Sequence, residues 1–203
     1  MRALLLIDLQ HDFLPGGALA VPRGDEVIAV ANRVMPKFSL VVATQDWHPL
    51  HHQSFAAEHK GRKVGELIQL HGLPQILWPV HCVQRTFGAA LATGLDIRRI
   101  DQVFTKGTDP AIDSYSGFFD NGHRQATGLG VALQKRGVDE VFVMGLATDY
   151  CVKFTVLDAI GLGLKVRLIE DGCRAVNLAP GDDTRAIQEM TQRGAQVLQS
   201  DQT

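Results

Sequence analysis

The stretch EVFVMGLATDYCVKFTVLDA, from Glu140 to Ala159, places a strand, a turn and a helix in close succession. Its apolar run Val141–Met144 predicts a buried strand, which Gly145 ends. After Cys151 the apolar residues recur at helical spacing. The face that this spacing predicts consists of Val152, Thr155, Val156, Ala159 and Ile160.

Cys151 lies where this predicted helix begins, and Thr148 or Asp149 is available as the N-cap. Free N–H groups and the positive end of the helix dipole favour a thiolate there, and they can also stabilise an oxyanion. A cysteine at an arbitrary position is more often a small core residue. Position alone therefore leaves two interpretations open, a reactive nucleophile and a core cysteine.

The rest of the chain repeats the alternation of strands and helices. The predicted strands are Ala3–Ile7, Leu40–Ala43, Gln102–Thr105, Val141–Met144, Val166–Ile169 and Gln196–Leu198. The predicted helices are Val27–Val34, Leu129–Lys135, Val152–Leu162 and Thr184–Arg193. Near-continuous apolar strands alternating with helices indicate a doubly wound α/β fold with a parallel sheet. Two long segments without a period, residues 48–95 and 107–127, exceed ordinary connections and are predicted to be functional loops.

The composition of the chain indicates its domain organisation and excludes some classes of function. The 203 residues are 45% hydrophobic and 21% charged with a net charge of −2, which predicts one globular domain over residues 1–203. The sequence has no basic run that would indicate a nucleic-acid partner, and it has no apolar stretch long enough to indicate a membrane partner. The chain begins in a strand without a signal-peptide pattern, and its three cysteines form no CxxC pair, so we expect a cytoplasmic protein with reduced thiols. Both a monomer and a homo-oligomer are compatible with this sequence.

Parallel strands bring their carboxyl ends to one edge of a sheet, where ligands bind. The first predicted strand leads to Asp8, the third to Lys106 and the fourth to Cys151. A carboxylate, an ammonium and a thiol at one edge are the parts of an activated nucleophile. Each residue taken singly also fits a structural role, as a turn residue, a solvated strand end or a core cysteine.

A second group of residues suits a metal ion. Asp46 and His48 stand two apart after the second strand, and the long loop can return His81 to them. Two imidazoles and a carboxylate suit Zn, Fe or Mn, with open positions for water or substrate. His52, four residues after His48, is an alternative ligand if a helical turn begins at Pro49. The other loop histidines (His51, His59, His71 and His123) are expected to be solvent-exposed.

Several motifs occur in order along nearly the whole chain: DLQHDF (8–13), ATQDWHP (43–49), HHQSF (51–55), WPVHC (78–82), FTKG (104–107), DSYSGFFDN (113–121), GLATDYCVKFTVLDA (145–159) and EDGCRAVN (170–177). Together they resemble the nicotinamide-hydrolysing members of the isochorismatase-like cysteine hydrolases. The resemblance implies a three-layer α/β/α fold whose six-stranded parallel sheet has the order 3-2-1-4-5-6.

The resemblance also implies roles for individual residues. Asp8, Lys106 and Cys151 match a catalytic triad, and Asp46, His48 and His81 match the ligands of one divalent metal ion. Ser54 stands where some relatives have a third histidine, so we expect it to reach the metal through water. The amides of Ala147 and Cys151 match an oxyanion hole, with a cis peptide bond before Ala147. The matches to aromatic walls around the substrate ring are Phe13, Trp78 and Tyr115.

The activity implied is hydrolysis of nicotinamide to nicotinate and ammonia through a thioester on the cysteine, as in NAD salvage, with pyrazinamide as a second substrate. Isochorismatases proper lack the cysteine, so Cys151 favours amide over vinyl-ether hydrolysis. Two alternatives stay open at this point. One is a metal-free relative acting on a carbamoyl or ureido substrate, and the other is a catalytically silent ligand-binding domain.

Overall fold

The computed structural model describes all residues from 1 to 203 and confirms the α/β class. Six parallel strands form one sheet: β1 (Arg2–Ile7), β2 (Val41–Asp46), β5 (Gln102–Lys106), β6 (Glu140–Leu146), β7 (Lys165–Arg174) and β8 (Gln196–Leu198). Two further strands, β3 (Leu67–Leu70) and β4 (Leu73–Ile76), form a separate antiparallel hairpin. The helices are α1 (Glu26–Val34), α2 (Leu129–Lys135), α3 (Lys153–Gly161) and α4 (Asp182–Gln192). None of them is long and apolar enough to cross a membrane.

The large sheet has the order β5-β2-β1-β6-β7-β8. Counted over its own six strands this is 3-2-1-4-5-6, and the hairpin accounts for the difference in numbering. β1 pairs in parallel with β2 on one side and with β6 on the other. The strand order therefore reverses its direction at β1, and such a switch point is where open α/β sheets bind their ligands.

The helices cover the sheet in two layers. α1 connects β1 to β2 in one direction along the sheet, whereas α3 connects β6 to β7 in the opposite direction. Because such crossovers are right-handed, helices that run in opposite directions lie on opposite faces. Both α1 and α3 pack against β7. The sheet is thus buried on both sides, which explains why residues 3–7 of β1 are all apolar and buried.

Two parts of the chain differ from the prediction. The segment 48–95 was expected to be irregular but contains the β3–β4 hairpin, whose short strands lack a clear alternation of apolar residues. β7 was predicted to end at Ile169 but continues to Arg174 through polar residues. Its register against β6 shifts between Val143 and Gly145. A Cβ at Gly145 would overlap the backbone of Ile7, so glycine is required at this close approach.

Candidate active site

Asp8 follows β1 and is fully buried. Its backbone is left-handed, with φ 49°, which turns the chain out of the sheet at the switch point. Thr44 of β2 fixes the carboxylate, because its hydroxyl donates to Asp8 Oδ1 over 2.6 Å while the Asp8 amide donates to Thr44 Oγ1 over 3.2 Å. The second oxygen, Oδ2, accepts no well-directed hydrogen bond. It faces the Lys106 ammonium, 2.9 Å away.

Lys106, the last residue of β5, is buried among two carboxylates and a thiol. Its Nζ lies 2.9 Å from Asp8 Oδ2 and 3.4 Å from Cys151 Sγ, and it also donates to Asp46 Oδ1. A further bond goes to the carbonyl of Ser114 over 2.8 Å. The structure thus brings Asp8, Lys106 and Cys151 together, as the strand-end rule predicts.

Cys151 lies in a short π-helical turn, Thr148–Val152, that leads from β6 into α3. Helix α3, which was predicted to begin at Val152, begins at Lys153. Cys151 therefore precedes the α-helix by two residues. The prediction of Thr148 or Asp149 as N-cap is wrong, since neither side chain caps the turn or the helix. The carboxylate of Asp149 instead accepts hydrogen bonds from the backbone amides of Val176 and Asn177. These bonds hold the turn against the chain that follows β7.

Burial and charge set the proton affinities of the triad. Burial raises the pKa of Asp8 above its usual value, although the Lys106 ammonium opposes this. Burial likewise raises the pKa of the Cys151 thiol well above its usual value, again against Lys106. Burial alone would lower the pKa of Lys106, but Asp46 and Asp8 outweigh it and raise that pKa. Lys106 is therefore held as an ammonium beside the thiol, and burial makes the Asp8 carboxylate more basic than that of an exposed aspartate.

The three predicted metal ligands also meet. His48 Nδ1 donates to the carbonyl of Gly107 over 2.9 Å, and His81 Nδ1 donates to the carbonyl of Pro79 over 2.8 Å. Each ring therefore keeps its lone pair on Nε2. These nitrogens lie 3.7 and 3.8 Å from Asp46 Oδ2, and His48 Nε2 is buried without a partner. Two imidazole lone pairs facing one carboxylate oxygen fit a divalent metal ion, and the group could hold one.

The electrostatics of Asp46 and His81 agree with that fit, whereas at His48 burial acts to lower the pKa but the Asp46 carboxylate raises it. Burial acts to raise the pKa of Asp46, but Lys106, His48 and His81 together hold it well below its usual value. Burial lowers the pKa of His81 to about 4, so this ring is neutral near pH 7. A carboxylate and a neutral imidazole are the protonation states in which these side chains bind metals.

Ser54 and His52 bond to each other. The Ser54 amide donates to His52 Nδ1 over 3.1 Å, and the Ser54 hydroxyl lies 2.7 Å from the same nitrogen. Both residues are fully buried, and the His52 ring packs 4.4 Å from that of His48. His52 is thus outside the group of Asp46, His48 and His81, and its ring nitrogens group instead with His48 and Asp113. A water-mediated role for Ser54 stays a prediction.

A cavity opens between the triad and the metal-ligand group. It is lined by Phe13, Trp78 and Tyr115, as predicted, together with Asp46, His81, Ala147 and Cys151. The Tyr115 hydroxyl accepts from Trp78 Nε1 and from Gln75 Nε2, both over 3.1 Å, which fixes one wall. The peptide bond between Leu146 and Ala147 is cis, as the resemblance implies. The Ala147 N–H has no acceptor within the protein.

Sequence reasoning missed four residues that line this cavity: Leu19, Asp113, Tyr150 and Val176. Tyr150 is adjacent to Cys151, and that adjacency was the available signal. Asp113 is buried and accepts from Gln75 Nε2 over 3.1 Å and from the Ser114 amide over 2.8 Å. It falls in the loop 107–127, which the sequence marked as functional without identifying a residue in it.

Comparison with known proteins gives a consistent result along the whole chain. Residues 2–202 match the model of the isochorismatase domain. The nicotinamidase of Escherichia coli strain K12 is 55% identical over 198 residues, covering 96% of this chain and 92% of that protein. A nicotinamidase and pyrazinamidase structure from Acinetobacter baumannii superposes with a TM-score of 0.96 at 43% identity, covering 99% and 97% of the two chains. The pyrazinamidase of Pyrococcus horikoshii in complex with zinc superposes with a TM-score of 0.79 at 38% identity, covering 98% of each.

Proposed function

Since the chain belongs to the isochorismatase family, we propose that it hydrolyses nicotinamide to nicotinate and ammonia through a thioester on Cys151. The observation that carries the proposal is the position of Lys106 Nζ, 2.9 Å from Asp8 and 3.4 Å from Cys151, the thiol that lines the aromatic cavity. The similarity to a nicotinamidase at 55% identity supports the substrate. We take residues 1–203 as one catalytic domain, working in NAD salvage in the cytoplasm, where its three free cysteines would stay reduced.

The reaction begins with proton transfer. Asp8 accepts the thiol proton of Cys151, and the Lys106 ammonium, close to both, stabilises the negative charge as it moves from the carboxylate to the thiolate. The sulfur then attacks the carboxamide carbon, and the carbonyl π electrons move to oxygen. The resulting oxyanion would face the N–H groups of Ala147 and Cys151, of which that of Ala147 has no competing acceptor in the protein.

The intermediate collapses when Asp8 returns the proton to the amide nitrogen, so that ammonia leaves and a nicotinoyl thioester remains on Cys151. A water molecule gives a proton to Asp8 and attacks the thioester carbon. The carbon–sulfur bond breaks, the thiolate recovers the proton from Asp8, and nicotinic acid is released, which loses its proton to the ammonia or to water as nicotinate. The same carboxylate acts as base and as acid, which suits a group whose pKa burial has raised above that of an ordinary aspartate.

The remaining residues bind and orient the ring. Phe13 on one side and the pair Trp78 and Tyr115 on the other would enclose the pyridine plane. A divalent ion held by Asp46, His48 and His81, with Ser54 reached through water, would supply a Lewis acid that coordinates the ring nitrogen. Zn, Fe and Mn all suit this donor set, and we propose zinc because a zinc complex is known for the P. horikoshii relative.

Three substrates test this proposal on purified protein whose metal content is measured in parallel. Nicotinamide and pyrazinamide share a ring nitrogen in the same place, whereas benzamide has the same carboxamide and nearly the same ring area without it. We expect ammonia from the first two, and a kcat/KM for benzamide lower by roughly 100-fold or more, because small misplacement of a reacting group costs that much. Absence of ammonia from nicotinamide would refute the activity. Equal values for benzamide and nicotinamide would remove ring coordination from the proposal and leave the hydrolysis intact.

A further inference from the structure

Asp12 lies outside the triad and the metal-ligand group, in the short 3-10 turn after β1. Its Oδ2 accepts the backbone amide of Cys82 over 2.6 Å, and its Oδ1 accepts the amide of Ala18 over 3.3 Å. The first bond joins segments 70 residues apart. A charged acceptor makes this a strong hydrogen bond, so it holds the two segments at a defined separation.

The segment on the far side of this bond carries one histidine ligand, His81, and is hydrogen-bonded to the backbone of the other, His48. Cys82 directly follows His81 and has a left-handed backbone, with φ 46°. Its amide is bound by Asp12, and its carbonyl accepts the His48 amide over 3.0 Å. Hydrogen bonds to Asp12 and His48 therefore hold the backbone of Cys82. The position of the preceding residue, His81, depends on that backbone.

The segment on the near side carries the opposite wall of the cavity. Asp12 precedes Phe13, and the carbonyl of Asp12 accepts the amide of Leu19 over 2.9 Å. Phe13 and Leu19 both line the cavity, and the Phe13 ring lies 5.6 Å from the His81 ring. Asp12 thus links the residues that would contact the substrate ring with those that would hold the metal ion.

The carboxylate has little freedom to move. The Asp12 amide donates to the carbonyl of Gly88 over 3.0 Å, and a Cβ built on Gly88 would overlap the Asp12 carboxyl group. Glycine at position 88 leaves space for the carboxylate to reach Cys82. The same contact offers a second way to displace the carboxylate without replacing it.

We propose that Asp12 is a positioning residue that sets the separation between the Phe13 wall and the His48–His81 ligand pair, and so determines the affinity for metal and substrate. The inference rests on the proposed function, because it assigns Asp12 to the metal and substrate of that site. Asp12 contacts none of Asp8, Lys106 and Cys151, so its loss acts on binding more than on the chemical step.

The test measures the zinc dissociation constant by chelator competition, the unfolding midpoint in urea, and KM and kcat for nicotinamide. Asp12→Ala is expected to weaken zinc binding roughly tenfold, as loss of groups that orient metal ligands does. KM should rise more than kcat falls. Asp12→Asn keeps an acceptor for the Cys82 amide and should restore most of the zinc affinity. Gly88→Ala should reproduce the loss of zinc affinity with Asp12 still present.

Asp101→Ala is the matched control. The Asp101 carboxylate accepts a single backbone amide, that of Val41, over 2.8 Å at the opposite end of the sheet. This variant should lose stability without any change in zinc affinity. Zinc affinity in Asp12→Ala and Gly88→Ala equal to that of the wild type would overturn the inference, as would a fall in kcat with unchanged KM. Failure of the wild type itself to bind zinc would count against the metal site of the proposed function. If Asp12→Ala does not fold, Gly88→Ala alone decides.

Discussion

The triad and the metal-ligand group share one edge of the sheet, but the chain holds them in different ways. Asp8, Lys106 and Cys151 each stand at or near the end of a strand, on β1, β5 and β6. In the metal-ligand group only Asp46 ends a strand, whereas His48 and His81 lie on the connection between β2 and β5. The sheet orders the first group, and backbone contacts between loops order the second.

Because of this difference, we expect substitutions to affect the chemical step and metal binding separately. A change in the triad should alter bond making without releasing the metal, because the sheet stays intact. A change in the loops should release the metal and leave the nucleophile in place. Lys106 is the exception, since it contacts Asp8, Asp46 and Cys151 at once. The variants below test this separation.

The largest effect should come from Cys151→Ala, which removes the nucleophile. We expect ammonia release to fall by roughly four orders of magnitude or more, as when other catalytic nucleophiles are removed. The zinc content should not change, and Cys173→Ala, a buried thiol outside the cavity, should keep most of the activity. Comparable turnover by the Cys151→Ala protein would rule out the thioester and would require a different attacking group.

Lys106→Met should be next, and it should damage both groups. Asp8 and Asp46 are buried, and this substitution leaves their carboxylates without their shared ammonium. Breaking a buried ion pair costs about 3–5 kcal/mol in the free energy of unfolding. Urea unfolding in the presence of a chelator measures this loss, together with the loss of activity. A stable variant with normal metal binding would show that the two groups are independent.

His81→Ala should affect the loop group alone. Losing one of two imidazole ligands should weaken zinc binding by roughly 100-fold or more, since even the groups that orient ligands contribute 10- to 100-fold. The Cys151 thiol should still react with an alkylating reagent. His59→Ala and His123→Ala change histidines outside the cavity and serve as controls. Full zinc occupancy in His81→Ala would make His52 the next candidate ligand.

The smallest effect should be a shift in pH dependence. The Thr44 hydroxyl bonds to Asp8 Oδ1 and lowers the pKa of that carboxyl, against the larger effect of burial. Thr44→Val therefore raises the pKa of Asp8 further. In the proposed mechanism Asp8 is the base, so kcat/KM falls as pH drops through that pKa, and the acidic limb of the profile should move to higher pH. A profile that does not move, or moves to lower pH, would count against Asp8 as the base.

The same difference explains what the sequence could predict. Apolar strands alternating with helices gave the α/β class, and the rule for strand ends placed Asp8, Lys106 and Cys151 together. The residues offered His81 as a further ligand, with His52 as the alternative, but did not fix its position, because that position depends on a left-handed residue and on bonds between distant loops. The β3–β4 hairpin was missed because its short strands lack a clear alternation of apolar residues. Asp113 and the Asp149 contacts were missed for the same reason as the position of His81. Each depends on long-range hydrogen bonds that leave no periodic pattern in the sequence.

The ammonium shared by Asp8 and Asp46 also constrains how this site can change over evolutionary time. If either carboxylate mutates to a neutral residue, Lys106 keeps the other as its partner, so the interior stays charge-compensated. If Lys106 mutates first, two buried carboxylates are left facing each other, and the folded chain is selected against before any new role arises. Lineages that abandon this reaction should therefore lose an aspartate before the lysine. The identity of the first residue lost would record the order in which the site decayed.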